Sequence, residues 1–220
     1  MAGRFYTNGA METTRTLKGR ASRGDSNAQF RLGYRYAFCK DRSKRRSWKE
    51  VVKWWTAAAI QEEVRAQFYL GTCYDFGNGV RRDLKKAMKW YRKAALQGHP
   101  ETQYNLGFGF REGEGVSRNL KKAVYWFSAA AGQGDPWAQR DLGYCYHEGK
   151  GIRRNYEKAA HLYRLSAKQG DLKAQYNLGL CFKHGDGVIT SRRHAIHWLS
   201  RAAKSGHPAA KAVLKRLMAT

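Results

Sequence analysis

Val64-Arg65-Ala66-Gln67-Phe68-Tyr69-Leu70-Gly71 opens a 36-residue stretch, 64–99, whose reading decides the fold. It continues through Cys73 and Tyr74, the turn Gly77-Asn78-Gly79-Val80, then Asp83, Lys86-Ala87, Trp90-Tyr91, Ala94-Ala95 and Gly98. The Leu-Gly pair returns at Leu106-Gly107, Leu142-Gly143 and Leu178-Gly179, 36 residues apart each time. An earlier copy, Leu32-Gly33, precedes Leu70-Gly71 by 38 residues. A fixed period of this size marks units that cannot bury their apolar faces alone and stack to do so.

Each unit reads as two helices. Ala66, Tyr69, Leu70, Cys73 and Tyr74 recur at steps of three and four, one face of a first helix, here helix A. Leu84, Ala87, Met88, Tyr91, Ala94 and Ala95 repeat the pattern in a second, helix B. Between them the Gly-x-Gly-Val/Ile turn, also at 113–116, 149–152 and 185–188, supplies glycine where a helix end commonly needs positive φ. Asp83, Asn119, Asn155 and Ser191 follow at fixed distance and are preferred helix N-caps. Pro100, Pro136 and Pro208 stand at the next helix start, where a missing N–H costs nothing.

The spacing therefore predicts an all-α chain of about five helix-turn-helix repeats, 25–63, 64–99, 100–135, 136–171 and 172–207, with a capping helix over 208–220. Residues 1–15 read as a disordered basic arm, and 16–220 as one solenoid domain. Thr16–Gly24 resemble the tail of a half-repeat.

Forty-two Lys and Arg against 17 Asp and Glu leave a net charge of +25. Residues 64–99 carry +6 and 172–207 carry +5, whereas 100–135 are neutral. Such a field concerns partners rather than fold, and an anionic partner is the plain inference. Cys73, Cys145 and Cys181 share one register, where the third copy has Gly109; Cys39 is off it. One cysteine per helix is no disulfide framework, so all four read as reduced thiols in a cytoplasmic, reducing compartment. No apolar run reaches the length of a membrane span. The N-terminal region, with Arg4, Arg15, Lys18, Arg20 and Arg23, only faintly resembles an organelle-import segment.

The motif Ala-Gln-x-x-Leu-Gly-x-x-Tyr, Gly-x-Gly-Val and Lys-Ala-x-x-Trp-Tyr/Phe-x-x-Ala-Ala-x-x-Gly resembles the Sel-one-like repeat, a relative of the tetratricopeptide repeat with a longer turn. The likeness covers about residues 25 to 208. It implies a right-handed α-solenoid whose A helices line a concave groove, and an adaptor or scaffold that binds proteins rather than an enzyme. The first copy departs from the pattern: Cys39-Lys40-Asp41-Arg42-Ser43-Lys44-Arg45-Arg46-Ser47-Trp48 replaces the glycine turn with a longer, basic loop.

Two columns would face that groove. Phe30, Phe68, Tyr104, Arg140 and Tyr176 lie two residues before each Leu-Gly leucine, and Tyr34, Phe108 and Tyr144 lie two after it. Aromatic anchors dominate interface energetics, and Arg140 with Lys183 could clamp a carboxylate or phosphate. The same aromatics equally suit packing of copy on copy. A basic rim is expected from Lys44, Arg45, Arg46, Arg81, Arg82, Arg118, Arg153, Arg154, Arg192 and Arg193.

Two partners stay open: an acidic protein or peptide, as for a signalling adaptor or an immunity-type inhibitor, or nucleic acid held by phosphate contacts and aromatic stacking. No base-reading motif is present. His194 and His197 share a helix face but lack nearby companions for a metal. No nucleophile stands beside a base, and no paired carboxylates or phosphate loop occur, so neither catalysis nor a cofactor is expected.

Overall fold

Glycine ends four helices in the left-handed region, at Gly77 (φ 75°), Gly113 (83°), Gly149 (70°) and Gly185 (83°), each donating its N–H back to a carbonyl of the last turn. Six residues on, Asp83, Asn119, Asn155 and Ser191 accept from the third N–H of the following helix. The turn chemistry read from the sequence thus delimits the helices of the repeat.

The computed structural model describes residues 13–38 and 47–219. Among the described residues there are twelve helices and no strand. The chain divides into two compact units, Met1–Gln97 and Gly98–Thr220. The first holds α1 (Thr14–Ser22), α2 (Ser26–Ala37), α3 (Trp48–Ile60), α4 (Val64–Phe76) and α5 (Leu84–Leu96). The second holds α6 (Pro100–Glu112), α7 (Leu120–Gly132), α8 (Pro136–Glu148), α9 (Tyr156–Lys168), α10 (Leu172–His184), α11 (Arg192–Lys204) and α12 (Pro208–Ala219). Within each unit every helix packs on the next. The chain is an all-α repeat solenoid.

The N-terminal boundary differs from the expectation. Thr13 caps α1 through its Oγ1, so residues 13–15 are a helix start rather than part of an arm; residues 1–12 lie outside the described residues. Cys39 and the basic loop over 40–46 lie outside them as well.

The Leu-Gly glycine is required by a close approach. A Cβ on Gly71 would stand 2.5 Å from the Tyr91 ring, and one on Gly107 2.6 Å from the Phe127 ring. Trp55, Tyr163 and Leu199 settle in the same way over Gly33, Gly143 and Gly179. Leaving out the methyl lets a large helix B side chain lie on the helix A backbone, and that contact builds the core. Cys73, Cys145 and Cys181 are buried beside it, and burial pushes their thiols up to about 12, 11 and 12.

A run of glutamines ties neighbouring repeats. Buried Gln29 and Gln67 donate to the Ala21 and Ala59 carbonyls in the first unit, as Gln139 and Gln175 do to Ala131 and Ala167 in the second. Their donation leaves the side-chain oxygen needing a donor of its own. Gln61 supplies it to Gln29 (2.9 Å), Gln97 to Gln67 (3.0 Å), Gln133 to Gln103 (2.8 Å) and Gln169 to Gln139 (2.9 Å). The series stops at Ser205, and Gln175 Oε1 is buried with no partner.

The last helix repeats the helix A pattern with two changes. Leu214 keeps the leucine register and packs with Val213 and Leu217 on the core of Leu199, Ala202, Ala203 and Ala210. Lys211 replaces the glutamine and exposed Lys215 replaces the glycine.

Candidate partner-binding face

Arg140 enters α8 one residue before Asp141, a carboxylate only 5 % exposed. Burying Asp141 without partners would be costly, and three groups meet it: Arg140 Nε at 2.7 Å, Arg111 Nη1 at 2.8 Å and the Tyr104 hydroxyl at 3.4 Å. Arg140 also donates through Nη1 to Asp171 Oδ2 (2.9 Å) and through Nη2 to Tyr104 (3.3 Å). Burial acts to lower the Arg111 pKa, but the charges of Asp141 and Glu112 outweigh it and raise it. Burial, then the Asp141 charge, push the Tyr104 phenol up to about 12.

This chain of charges corrects one expectation. Arg140 offers no free guanidinium to a partner; it joins α8 to the N-cap of α10. Lys183, its expected companion in a clamp, is exposed.

The first column is largely packing. Phe30 is 6 % exposed, lies 5.9 Å from Tyr69 and carries the Arg65 guanidinium 4.3 Å above its ring. Phe68 lies 5.0 Å from Tyr69. Tyr104 meets Phe127 at 5.8 Å and Trp137 at 5.9 Å, and Tyr176 stacks on His207 at 4.5 Å. The second column is more open. Half-buried Tyr34 packs against exposed Phe38 with tilted rings, centroids 4.5 Å apart. Half-buried Phe108 carries Arg111 at 4.8 Å, and Tyr144, 37 % exposed, carries Lys150 at 4.7 Å.

The rim divides into bound and free positions. Arg82 donates to the Asp75 carbonyl (2.8 Å) and Arg118 to the Arg111 carbonyl (3.0 Å), each through Nε to the last turn of a helix A. Arg154 donates to the Tyr156 hydroxyl at 3.3 Å. Arg81 and Arg153 are exposed. Arg192 and Arg193 begin α11 rather than the turn, where exposed Ile189 and Thr190 hold the register. Arg192 reaches the Leu217 carbonyl at 2.8 Å and ties down α12. Lys44, Arg45 and Arg46 lie outside the described residues.

Sequence reasoning passed over two residues here. Lys150 is the variable residue of its Gly-x-Gly turn, where the other copies have Asn78, Glu114 and Asp186. Arg111 shares the register of Lys183. Both line a cavity of about 250 Å³ together with Glu112, Arg118, Leu120 and Tyr144. Among the described residues no group of His, Cys, Asp and Glu could hold a metal, and no helix is long and apolar enough to cross a membrane.

The Sel1 repeat model matches residues 26–39, 64–99, 100–135, 138–171 and 172–207, so the first copy is recognised over little more than its helix A. Among solved structures, a protective antigen of uropathogenic Escherichia coli with an SLR fold is 34% identical, with a TM-score of 0.86 over 92% of this chain. This chain spans only 43% of that protein's length. A Sel1 repeat protein from Oxalobacter formigenes is 31% identical, with a TM-score of 0.82 over 91% of this chain and 83% of that one. An immunity protein of Pseudomonas aeruginosa shares the fold at 23% identity and a TM-score of 0.50, over 84% of this chain and 67% of that one. No curated protein matches the chain in sequence. With five repeat matches along its length and two relatives above 30% identity, the chain belongs to the Sel1 repeat family.

Proposed function

We propose that this chain is an interaction adaptor that grips an acidic protein or peptide on the helix A side of its repeats. Sel1 repeats are protein–protein interaction scaffolds and a non-enzymatic fold, which supports the general role. The observation that carries the acidic partner is Tyr144 with Lys150 in the second unit: an exposed ring for contact area with an ammonium 4.7 Å above it. Exposed Arg153 and Lys183 extend the positive character of that unit. Rim charges govern the association rate and its salt dependence, and a ring covered on binding governs residence time. Three buried, protonated thiols support work in a reducing compartment.

Capture from nuclease-treated host lysate, followed by kinetics on the captured partner, tests the reading. An acidic partner whose association slows with Arg153→Glu and Arg154→Glu, and whose dissociation quickens with Tyr144→Ala, is the expected result. A basic partner, or capture that is lost on nuclease treatment, would overturn it.

One observation favours a second reading. Lys85, Lys86, Lys89, Arg92 and Lys93 are all exposed on α5, a helix without a single acid. Such a face suits a phosphate backbone. With six to ten phosphate contacts, affinity for random RNA or DNA falls roughly 10³–10⁵-fold between 50 and 200 mM salt. No retention at 50 mM salt removes this reading.

A further inference from the structure

The cavity beside Tyr144 has the chemistry of a subsite. Three cations line it, and they are not equivalent. Arg111 is answered by Glu112 (2.6 Å) and Asp141 (2.8 Å). Arg118 and Lys150 have no carboxylate partner among the described residues. Lys150 Nζ donates to the Tyr144 hydroxyl at 2.7 Å, which leaves that hydroxyl's own proton available. Arg118 uses only Nε, on the Arg111 carbonyl, which leaves its terminal nitrogens. The wall between these donors is apolar: Leu120, the Tyr144 ring and the buried Cys145.

We propose that this pocket receives a glutamate side chain of the partner, its methylenes against Leu120 and Tyr144 and its carboxylate between Arg118, Lys150 and the Tyr144 hydroxyl. The proposal rests on the acidic-partner reading and assigns it a place. A carboxylate accepts up to four hydrogen bonds, and this rim supplies donors from three side chains. Glu112, held on Arg111 at the pocket's edge, places a negative charge beside the site that repels an incoming carboxylate.

The test is fluorescence anisotropy of labelled hexaglutamate against the full chain in 50 mM salt. Arg118→Ala with Lys150→Ala should weaken binding roughly tenfold, as loss of charge-assisted hydrogen bonds does. Glu112→Gln should tighten it. Lys168→Ala with Lys204→Ala removes the same charge from exposed positions elsewhere and should change binding less than about twofold. Equal losses in the two pairs, or no gain from Glu112→Gln, would overturn the pocket and leave an acidic partner standing. No binding of hexaglutamate to the wild-type chain would overturn both. Displacement of hexaglutamate by inorganic phosphate at equal carboxylate and phosphate concentration would reassign the pocket from carboxylate to phosphate.

Discussion

Ser205 stands thirty residues after Gln175, where three earlier glutamines reach back over the same interval to a buried side-chain oxygen; here Gln175 Oε1 receives nothing. An unmet buried acceptor costs roughly 1–3 kcal/mol. Ser205→Gln should complete the series and stabilise the chain by about 1 kcal/mol, seen as a higher urea midpoint at unchanged slope. Gln169→Ala makes the converse vacancy at Gln139 and should destabilise by about 1–3 kcal/mol. A neutral Ser205→Gln would show that the Gln175 oxygen is already satisfied in solution.

The ring over Gly107 predicts opposite signs for two Gly→Ala changes on adjoining helices. In Gly107→Ala the methyl meets Phe127 at 2.6 Å and should cost about 1–3 kcal/mol. Gly132 ends α7 with nothing within 4 Å, and Gly132→Ala should stabilise by about 0.5–1 kcal/mol. Thermal unfolding of the two variants checks the pair.

Asp141→Asn should be a damaging charge change. Arg140 keeps Asp171 and Arg111 keeps Glu112, but a neutral amide replaces the buried carboxylate they share, and the loss of two charge-assisted bonds should cost about 1–3 kcal/mol. Asp83→Asn keeps a cap of equal quality at an exposed helix start and should shift stability by less than about 0.5 kcal/mol.

The raised thiols set an alkaline limit. Folded Cys73, Cys145 and Cys181 hold their protons to higher pH than the unfolded chain does, from a usual value of 9.0. Their stabilisation is complete below about pH 9 and is lost as pH rises toward 11–12, because only the unfolded thiols ionise in that window. Replacing all three by Ala should flatten the fall of the urea midpoint between pH 8 and pH 10. The native thiols should react with Ellman's reagent far more slowly than the same thiols in denaturant.

The helix boundaries were legible because each is marked by chemistry local to a few residues: Gly77 and its copies, Asp83 and its copies, Pro100, Pro136 and Pro208. The Leu-Gly pair gave the period, but its reason lies across the repeat, in the Tyr91 and Phe127 rings that no local pattern places over Gly71 and Gly107. The candidate site was less legible. Arg140 and Asp171 are 31 residues apart and meet only because α8 and α10 are brought together, so an arginine that looked available is committed. Lys150 looked like turn filler, and only the cavity between α6 and α8 shows what it adjoins. Long-range charge pairing leaves no periodic trace, whereas packing does.

Lys215 sits where every earlier helix A has the glycine that seats a helix B side chain. Another helix B docking there would have to trap an ammonium group against its own ring, a dehydration that wet lysine resists. A helix B side chain could pack on α12 as Tyr91 and Phe127 pack on their helices only with glycine restored at 215.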